Sequence, residues 1–574
     1  MKQRKENYVM REFQEMAAGC FAILMAGIFP LFYRMDYFRI REEKSAFFQV
    51  CTWGLIVLNA IFAGAGWLQE KKETGFCRRA GEASFQKRKH SKRAEEASLP
   101  KKKHSKRAGE ASGREWKEIL RAVPSYSWFA GLFAVSLLLS TLFSVDVRES
   151  FLGTEGRKMG AALWLLCLAM YVILGKYLRP GIWLAWIFLI SNGVVTGLAV
   201  LQFWDIDPIH IHDRLAVSWE YGAYISTVGN INGYSNYLCM ILPVGMVLYY
   251  LSETLFSKIV YGIFLVMGFY SAYACNADSW ILGVGTAFLV MFWFSFKDHE
   301  HMIHFLELCF LFFLSSLLIK ASLLTLQRRG GDTTMSWGFQ TLRIQSFMVH
   351  PYTLAAEIIL LSAGMALLKR GQKKKFVWPY QKIRKALYTG LAVILGIGIL
   401  LFLAANWREN REWEGTFEWL NLLKLQDEFG SGRGIIWKYT VKAWEQLPLR
   451  RKVIGNGVNC FHRFFHQCYG AELSALTPGI LWADPHNELL QFLSMTGILG
   501  TIGYFGLLIS TAVSAGKHVV QSPVMMMGTA AICSYLAQSM VNNPTTFITP
   551  NLFFLLGIVK SLERYAREKD VVDK

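Results

Sequence analysis

Cysteine pairs at metal-binding spacing, an excess of acid and an exit for a signal peptidase are all missing from this 574-residue sequence. No two of the ten cysteines stand at C-x-x-C spacing, which removes the commonest zinc framework, and most lie in apolar runs where a thiol is ordinary packing. Cys460 and Cys468 share a polar loop, and their spacing leaves a disulfide and two free thiols equally open. The basic start MKQRK leads into an apolar run without an A-x-A-like exit, so the first helix is expected to be an uncleaved anchor. Acidic residues number 42 against 61 Lys and Arg, giving a formal charge of +19. That excess resembles a nucleic-acid footprint until it is located. Residues 71–121 hold 17 Lys/Arg against 7 Glu, and residues 369–386 hold 8 against none. Two loops thus carry nearly all of it, the pattern of positive-inside membrane loops, and no nucleic-acid partner is expected.

What the chain has is apolar length. It is 53% hydrophobic and 14% aromatic, with mean hydropathy +0.28. Uncharged runs recur that are long enough to cross a hydrocarbon core of about 30 Å. The sequence reads as an all-α polytopic membrane protein with about 14 transmembrane helices, near 16–33, 47–68, 125–145, 159–175, 182–203, 233–252, 259–275, 279–296, 303–326, 347–368, 387–405, 487–514, 524–541 and 547–562. With a cytoplasmic N-terminus, this parity puts both basic loops inside and residues 406–485 outside.

The expected organisation is two N-terminal membrane helices (1–68), a basic disordered cytoplasmic loop (69–124), a membrane core (125–405), a large external loop with amphipathic helices (406–485), C-terminal membrane helices (486–562) and a cytoplasmic tail (563–574). The basic loop contains RAGEAS, RAEEAS and RAGEAS starting at Arg79, Arg93 and Arg107, a 14-residue repeat too polar to fold alone. It suits anionic headgroups, and equally a repeat without a role. In the external loop, Ile436, Tyr439, Ala443 and Leu447 recur at helical spacing, widened by Trp437, Val441 and Trp444, and Pro448 closes the pattern. WEGTFEWLNLLKLQDEFG upstream reads as a second amphipathic helix, and the two would form a lid. Lys320 and Glu357 are charges inside spans, placed to form an ion pair between neighbouring helices, with a proton or substrate pathway as the alternative. Gly497, Gly500, Gly503 and Gly506 read as small residues for close helix contact.

Four polar groups collect at the outer face. They are SVDVRESFLGTEGRKMG with Arg157, a segment with Arg214 before GNIN (Asn230 and Asn232), GSGRGIIW with Arg433, and DPHNE with His486 and Asn487. Guanidinium binds phosphate oxygens in bidentate fashion, so arginines at a membrane rim suit a lipid pyrophosphate whose tail stays in the bilayer. Histidine titrates near neutrality and can take a proton from an attacking hydroxyl. Together they suggest glycosyl transfer from a lipid pyrophosphate. Singly, each has a plainer meaning: a rim arginine anchors headgroups, a histidine or asparagine caps a helix. WDIDPIHIHDRL offers Asp205, Asp207, His210, His212 and Asp213 to a divalent cation, but the spacing fits no defined site and no metal or cofactor is assigned.

The order SVDxxxSxxGxxxRxxG, R…GNxN, GRxxIW, Pro448 with Gly455 and Gly457, then HNxxLxxLxxxGxxG resembles the O-antigen ligase and O-antigen polymerase superfamily of bacterial envelope glycosyltransferases, from about residue 125 to 510. The resemblance implies a bundle of the GT-C type in the bacterial cytoplasmic (inner) membrane, its active site facing outside. Such a protein moves a glycan from undecaprenyl pyrophosphate to a glycan, lipid or protein hydroxyl, without a metal. It implies that Arg433 and His486 are catalytic, with Arg157, Arg214, Asn230, Asn232 and Asn487 binding substrate. Many members carry a Ser-Arg pair where this chain has Ser279 and Trp280, so either another arginine such as Arg343 replaces it or the substrate differs. A lipid-linked glycan flippase or transporter is one alternative, although no two related halves are visible. A peptidoglycan-type polymerase using Asp484 as base is another.

Overall fold

The computed structural model describes residues 2–34, 37, 39–89, 124–154, 157–215, 222–330, 343–374, 378–406, 413–427, 429–478 and 482–572. Most of the basic repeat lies outside them, as do the side chains of Arg214 and Arg343. The described residues are helical almost throughout, because long apolar runs with few breakers satisfy their backbone groups internally. Among the described residues the only strands are Tyr224–Ile225 and Gly229–Asn230, paired antiparallel.

Nine described helices are long and apolar enough to cross a membrane, and Ala161–Tyr177 and Ser279–Ser295 are shorter apolar helices. That is fewer than the fourteen expected from hydropathy. The first, thirteenth and fourteenth expected spans fall on Lys2–Ile23, Met526–Ser539 and Ile548–Val572, which are helical but do not meet the same length and apolarity. The second expected span falls on Ile40–Leu68, but the disordered loop expected from residue 69 does not begin there: Ile40–Lys89 is one helix of 50 residues, and its Lys-, Arg-, Glu- and Ala-rich second half favours helix by intrinsic propensity.

The twelfth expected span is broken. Glu488–Met495 and Gly497–Lys517 meet at Thr496, with Gly497 at φ +66°, a conformation that suits glycine. A helix break orphans carbonyls. Here Asn456 N–H and Nδ2 donate to Ser494 O at 3.2 and 2.9 Å, Gly457 N–H donates to Met495 O at 3.0 Å, and Ser140 Oγ to the same oxygen at 2.6 Å. The Gly-Asn-Gly turn of the long loop is therefore the clasp of this break. A side chain at Gly455 would overlap Met495 O.

Past the break, Gly503 and Gly506 press on the Ser125–Leu142 helix at Phe133 and Phe129, as their spacing predicts. Phe133, Trp164, Phe492 and Tyr504 form an aromatic core there, Phe492 stacked on Tyr504 at 4.2 Å and Trp164 edge-on to Phe133 at 5.6 Å. At the periphery, Pro351–Lys373 and Tyr380–Asn406 bury very little. Lys320 and Glu357 form no ion pair among the described residues; Glu357 Oε2 is buried without a partner.

In the long loop, Phe429–Glu445 is the expected helix, with Ile436 and Ala443 fully buried. The upstream amphipathic stretch forms only a 3-10 helix, Gly415–Leu423, and Pro448 opens a further short helix, Leu449–Ile454. A helix not foreseen, Phe461–Leu476, packs beside Phe429–Glu445, its Phe461, Phe465 and Leu473 closing a small core with Ile436 and Trp482. Cys460 and Cys468 are both free thiols.

A Cβ on Gly503 would sit 2.7 Å from Phe133 N, whereas one on Gly54 meets nothing within 4 Å. Gly503→Leu should destabilise by about 1–3 kcal/mol or more through overpacking. The expected result in thermal unfolding of detergent-purified protein is a clear fall in Tm for Gly503→Leu and none for Gly54→Leu.

Candidate functional site

The polar groups of four separate segments converge above the broken helix. The centre is Asp484, whose side chain is fully buried and ion-paired with Arg157. Its Oδ2 also accepts from Asn543 Nδ2 at 2.8 Å, and its Oδ1 accepts the backbone N–H of His486 at 3.1 Å. His486 Nδ1 stands 3.5 Å from that same oxygen. The turn requires His486 at φ +48°, so the histidine is held in a left-handed conformation by the carboxylate before it. Asn487 then caps Glu488–Met495, accepting Leu490 N–H at 3.0 Å and donating to Met540 O at 2.7 Å. Behind it, Glu488 is buried with its carboxylate oxygens accepting from Tyr504 and Tyr535 hydroxyls.

Arg433 reaches the same place from the long loop. Gly432 takes φ +88°, and a side chain on Gly434 would overlap Gln426 O, so the Gly-Arg-Gly sequence lets the helix start against its own lead-in. Trp437 Nε1 donates to Pro485 O at 2.8 Å, seating this helix directly on the DPHNE turn. The Arg433 guanidinium contacts Asn232 Oδ1 at 3.5 Å. Asn232 is fixed in turn, its N–H capped by Asn230 Oδ1 at 3.0 Å and its carbonyl accepting from Asn542 Nδ2 at 2.8 Å.

Burial alone would raise the Asp484 carboxyl, but Arg157, His486 and the His486 N–H outweigh it and leave its pKa below the usual value. For His486 burial is the main cause and lowers its pKa; Asp484 opposes, and Arg433, Arg157 and Arg41 add to the lowering. The imidazole is therefore neutral at neutral pH, able to accept a proton. Burial also lowers the pKa of Arg433, with Asp484 opposing. Arg157 is paired with the Asp484 carboxylate, and Arg433 and Arg41 also feel its charge, so three cations share one anion and the site has net positive charge.

Of the residues expected from the sequence, the structure brings together Arg157, Arg433, His486, Asn487 and Asn232, with Asn230 as a cap one step removed. Arg214 ends the short 3-10 helix His212–Arg214 and Arg343 begins Arg343–Met348, but their side chains fall outside the described residues. Trp280, at the expected Ser-Arg position, is buried edge-on to Tyr273 at 5.1 Å, so that position is apolar packing here. The Asp207 carboxylate is taken by Gln202 Nε2 at 3.0 Å and His212 N–H at 2.7 Å, and His210 pairs with Asp213. Among the described residues no three His, Cys, Asp or Glu are grouped to hold a metal.

Three contributors were missed. Arg41, at the start of the Ile40–Lys89 helix, acts electrostatically on His486, and Asn542 and Asn543 come from the NNPTT turn before the last helix. Their signal was parity: both segments lie at outer mouths of expected spans, the same reasoning that singled out Arg157.

No protein-family model matches the chain, and no curated protein matches it at a significant level. The geometry of the site therefore carries the functional reading.

The electrostatics give a titration test. His486 should titrate below the ordinary value of about 6.5. Arg433→Gln, removing a cation, should raise its pKa, and Asp484→Asn, removing the opposing anion, should lower it further. Histidine-selective NMR of the labelled protein reads all three directions.

Proposed function

We propose that this chain is a membrane glycosyltransferase of the O-antigen ligase type. In this reading it crosses the bacterial cytoplasmic membrane fourteen times in a GT-C-like bundle, with the site facing outside. It takes a glycan from an undecaprenyl-pyrophosphate donor and joins it to a hydroxyl of a glycan, lipid or protein. The observation that supports it most is that Arg157, paired with Asp484, and also Arg433 and Arg41 act electrostatically on a neutral His486 at the mouth of an apolar bundle. The arginines suit the pyrophosphate, whose charge rises as the glycosidic bond breaks, and their attraction for that oxyanion favours departure. His486 suits the acceptor: its neutral imidazole takes the hydroxyl proton as the oxygen attacks the anomeric carbon. Asn232 and Asn487 hold the arginine and the histidine turn in place. No metal or other cofactor has a part in this chemistry.

The peptidoglycan-type alternative needs Asp484 free to act as base. Its carboxylate is instead fully buried and engaged by Arg157, Asn543 and the His486 N–H, which suits a positioning role. The flippase alternative predicts binding without transfer.

The test is transfer of a labelled undecaprenyl-pyrophosphate glycan by purified protein in the presence of EDTA. Wild type should transfer. His486→Ala should lose about 10²–10⁴-fold in rate, the range of a general base. Arg433→Ala should fall to a comparable degree. Donor binding without transfer by wild type would favour the flippase, and loss of activity in EDTA would contradict the metal-free chemistry.

A further inference from the structure

A second feature lies far from this site, at the end of the bundle that carries the basic 369–386 segment. Three helices, Leu255–Ala274, His299–Arg328 and Pro351–Lys373, leave between them a groove of about 1010 Å³. Its walls are aliphatic and aromatic, including Ile259, Ile263, Phe310, Leu314, Ile358 and Leu361. Its charged groups are gathered at one end. Lys258 Nζ pairs with Glu307 Oε2 at 2.8 Å, with the Tyr249 hydroxyl beside them, and Lys369 stands exposed and outside any ion pair among the described residues. From Lys369 to Ile358 the groove follows about 16 Å of helix, close to half of a hydrocarbon core about 30 Å thick. The last turn of the same helix adds Arg370 and Lys373.

We propose that this groove binds a diacyl phospholipid with an anionic headgroup, drawn from the leaflet that the basic 369–386 segment borders. The length fits one leaflet and the walls fit acyl chains. The positive end fits a phosphate: Lys369 has no anionic partner among the described residues, and Lys258, with one N–H committed to Glu307, has two more to donate. Basic pockets between membrane helices select acidic lipids on this principle, each lysine near the surface contributing about a fivefold preference. The site is independent of the glycosyltransferase reading, since none of its residues belongs to the Asp484 cluster.

The test uses the full-length protein in mixed micelles holding phosphatidylglycerol and phosphatidylcholine in equal amounts, with native mass spectrometry reading which lipid is retained. Wild type should retain phosphatidylglycerol at least about fivefold over phosphatidylcholine. Lys369→Gln should reduce that preference about fivefold, and Lys382→Gln, on the neighbouring helix outside the groove, should leave it unchanged. Ala366→Trp, which fills the groove from an exposed lining position, should lower retention of both lipids. Equal retention of the two lipids by wild type would overturn the proposal without reference to any variant. An unchanged preference in Lys369→Gln, or unchanged retention in Ala366→Trp, would overturn it as well.

Discussion

The buried carboxylate of Asp484 is the constraint around which the polar end of the bundle is arranged. A lone carboxylate cannot stay ionised in a desolvated site; it has to find cations and donors, or take up a proton. Arg157, Asn543 and the backbone of His486 meet that demand, and each arrives from a different part of the chain. The ion pair is thus less a source of net stability than a device that fixes geometry. It holds His486 in its left-handed conformation and holds Arg157 at the mouth, and in the proposed function those two groups, with Arg433, receive the donor's pyrophosphate.

A second layer of constraint is backbone fit. The break at Thr496 gives the DPHNE turn a short helix of its own, so that the polar turn sits on Glu488–Met495 while the membrane-length helix Gly497–Lys517 starts afresh. The break is tolerated because the Gly-Asn-Gly turn and Ser140 bond the carbonyls it releases. Loop and membrane helix are therefore one unit: residues 455–457 clasp 494–497, and Trp437 ties the Arg433 helix to Pro485. Glycine serves two purposes here. At 503 and 506 it allows helices to touch, and at 432, 455, 457 and 497 it supplies positive φ at the joints.

Much of this was legible in the sequence, for identifiable reasons. Apolar runs give helices, and parity sorts polar mouths to one end, so Arg157, Arg433, His486 and Asn487 could be gathered before any coordinates. Their mutual contacts could not: the Arg157 to Asp484 pairing spans 327 positions, and no local pattern encodes it. Hydropathy also read 487–514 as continuous, because Met-Thr-Gly is apolar enough to continue a span and the break depends on partners in a distant loop. The Phe461–Leu476 helix was missed since its apolar face, Phe461, Phe465 and Leu473, is interspersed with histidines. Arg41 was overlooked because a basic residue at a span mouth resembles an ordinary headgroup anchor.

We propose that the Asp484 cluster binds a diphosphate with the help of Arg157, Arg433 and Arg41. Binding of undecaprenyl pyrophosphate and of uncharged undecaprenol to the purified protein, for wild type, Arg41→Gln and Arg157→Gln, tests it most directly. Wild type should strongly prefer the pyrophosphate, and each variant should lose about tenfold or more, the size of one charged hydrogen bond. Equal binding of the two lipids, or pyrophosphate affinity unmoved by either substitution, would contradict it.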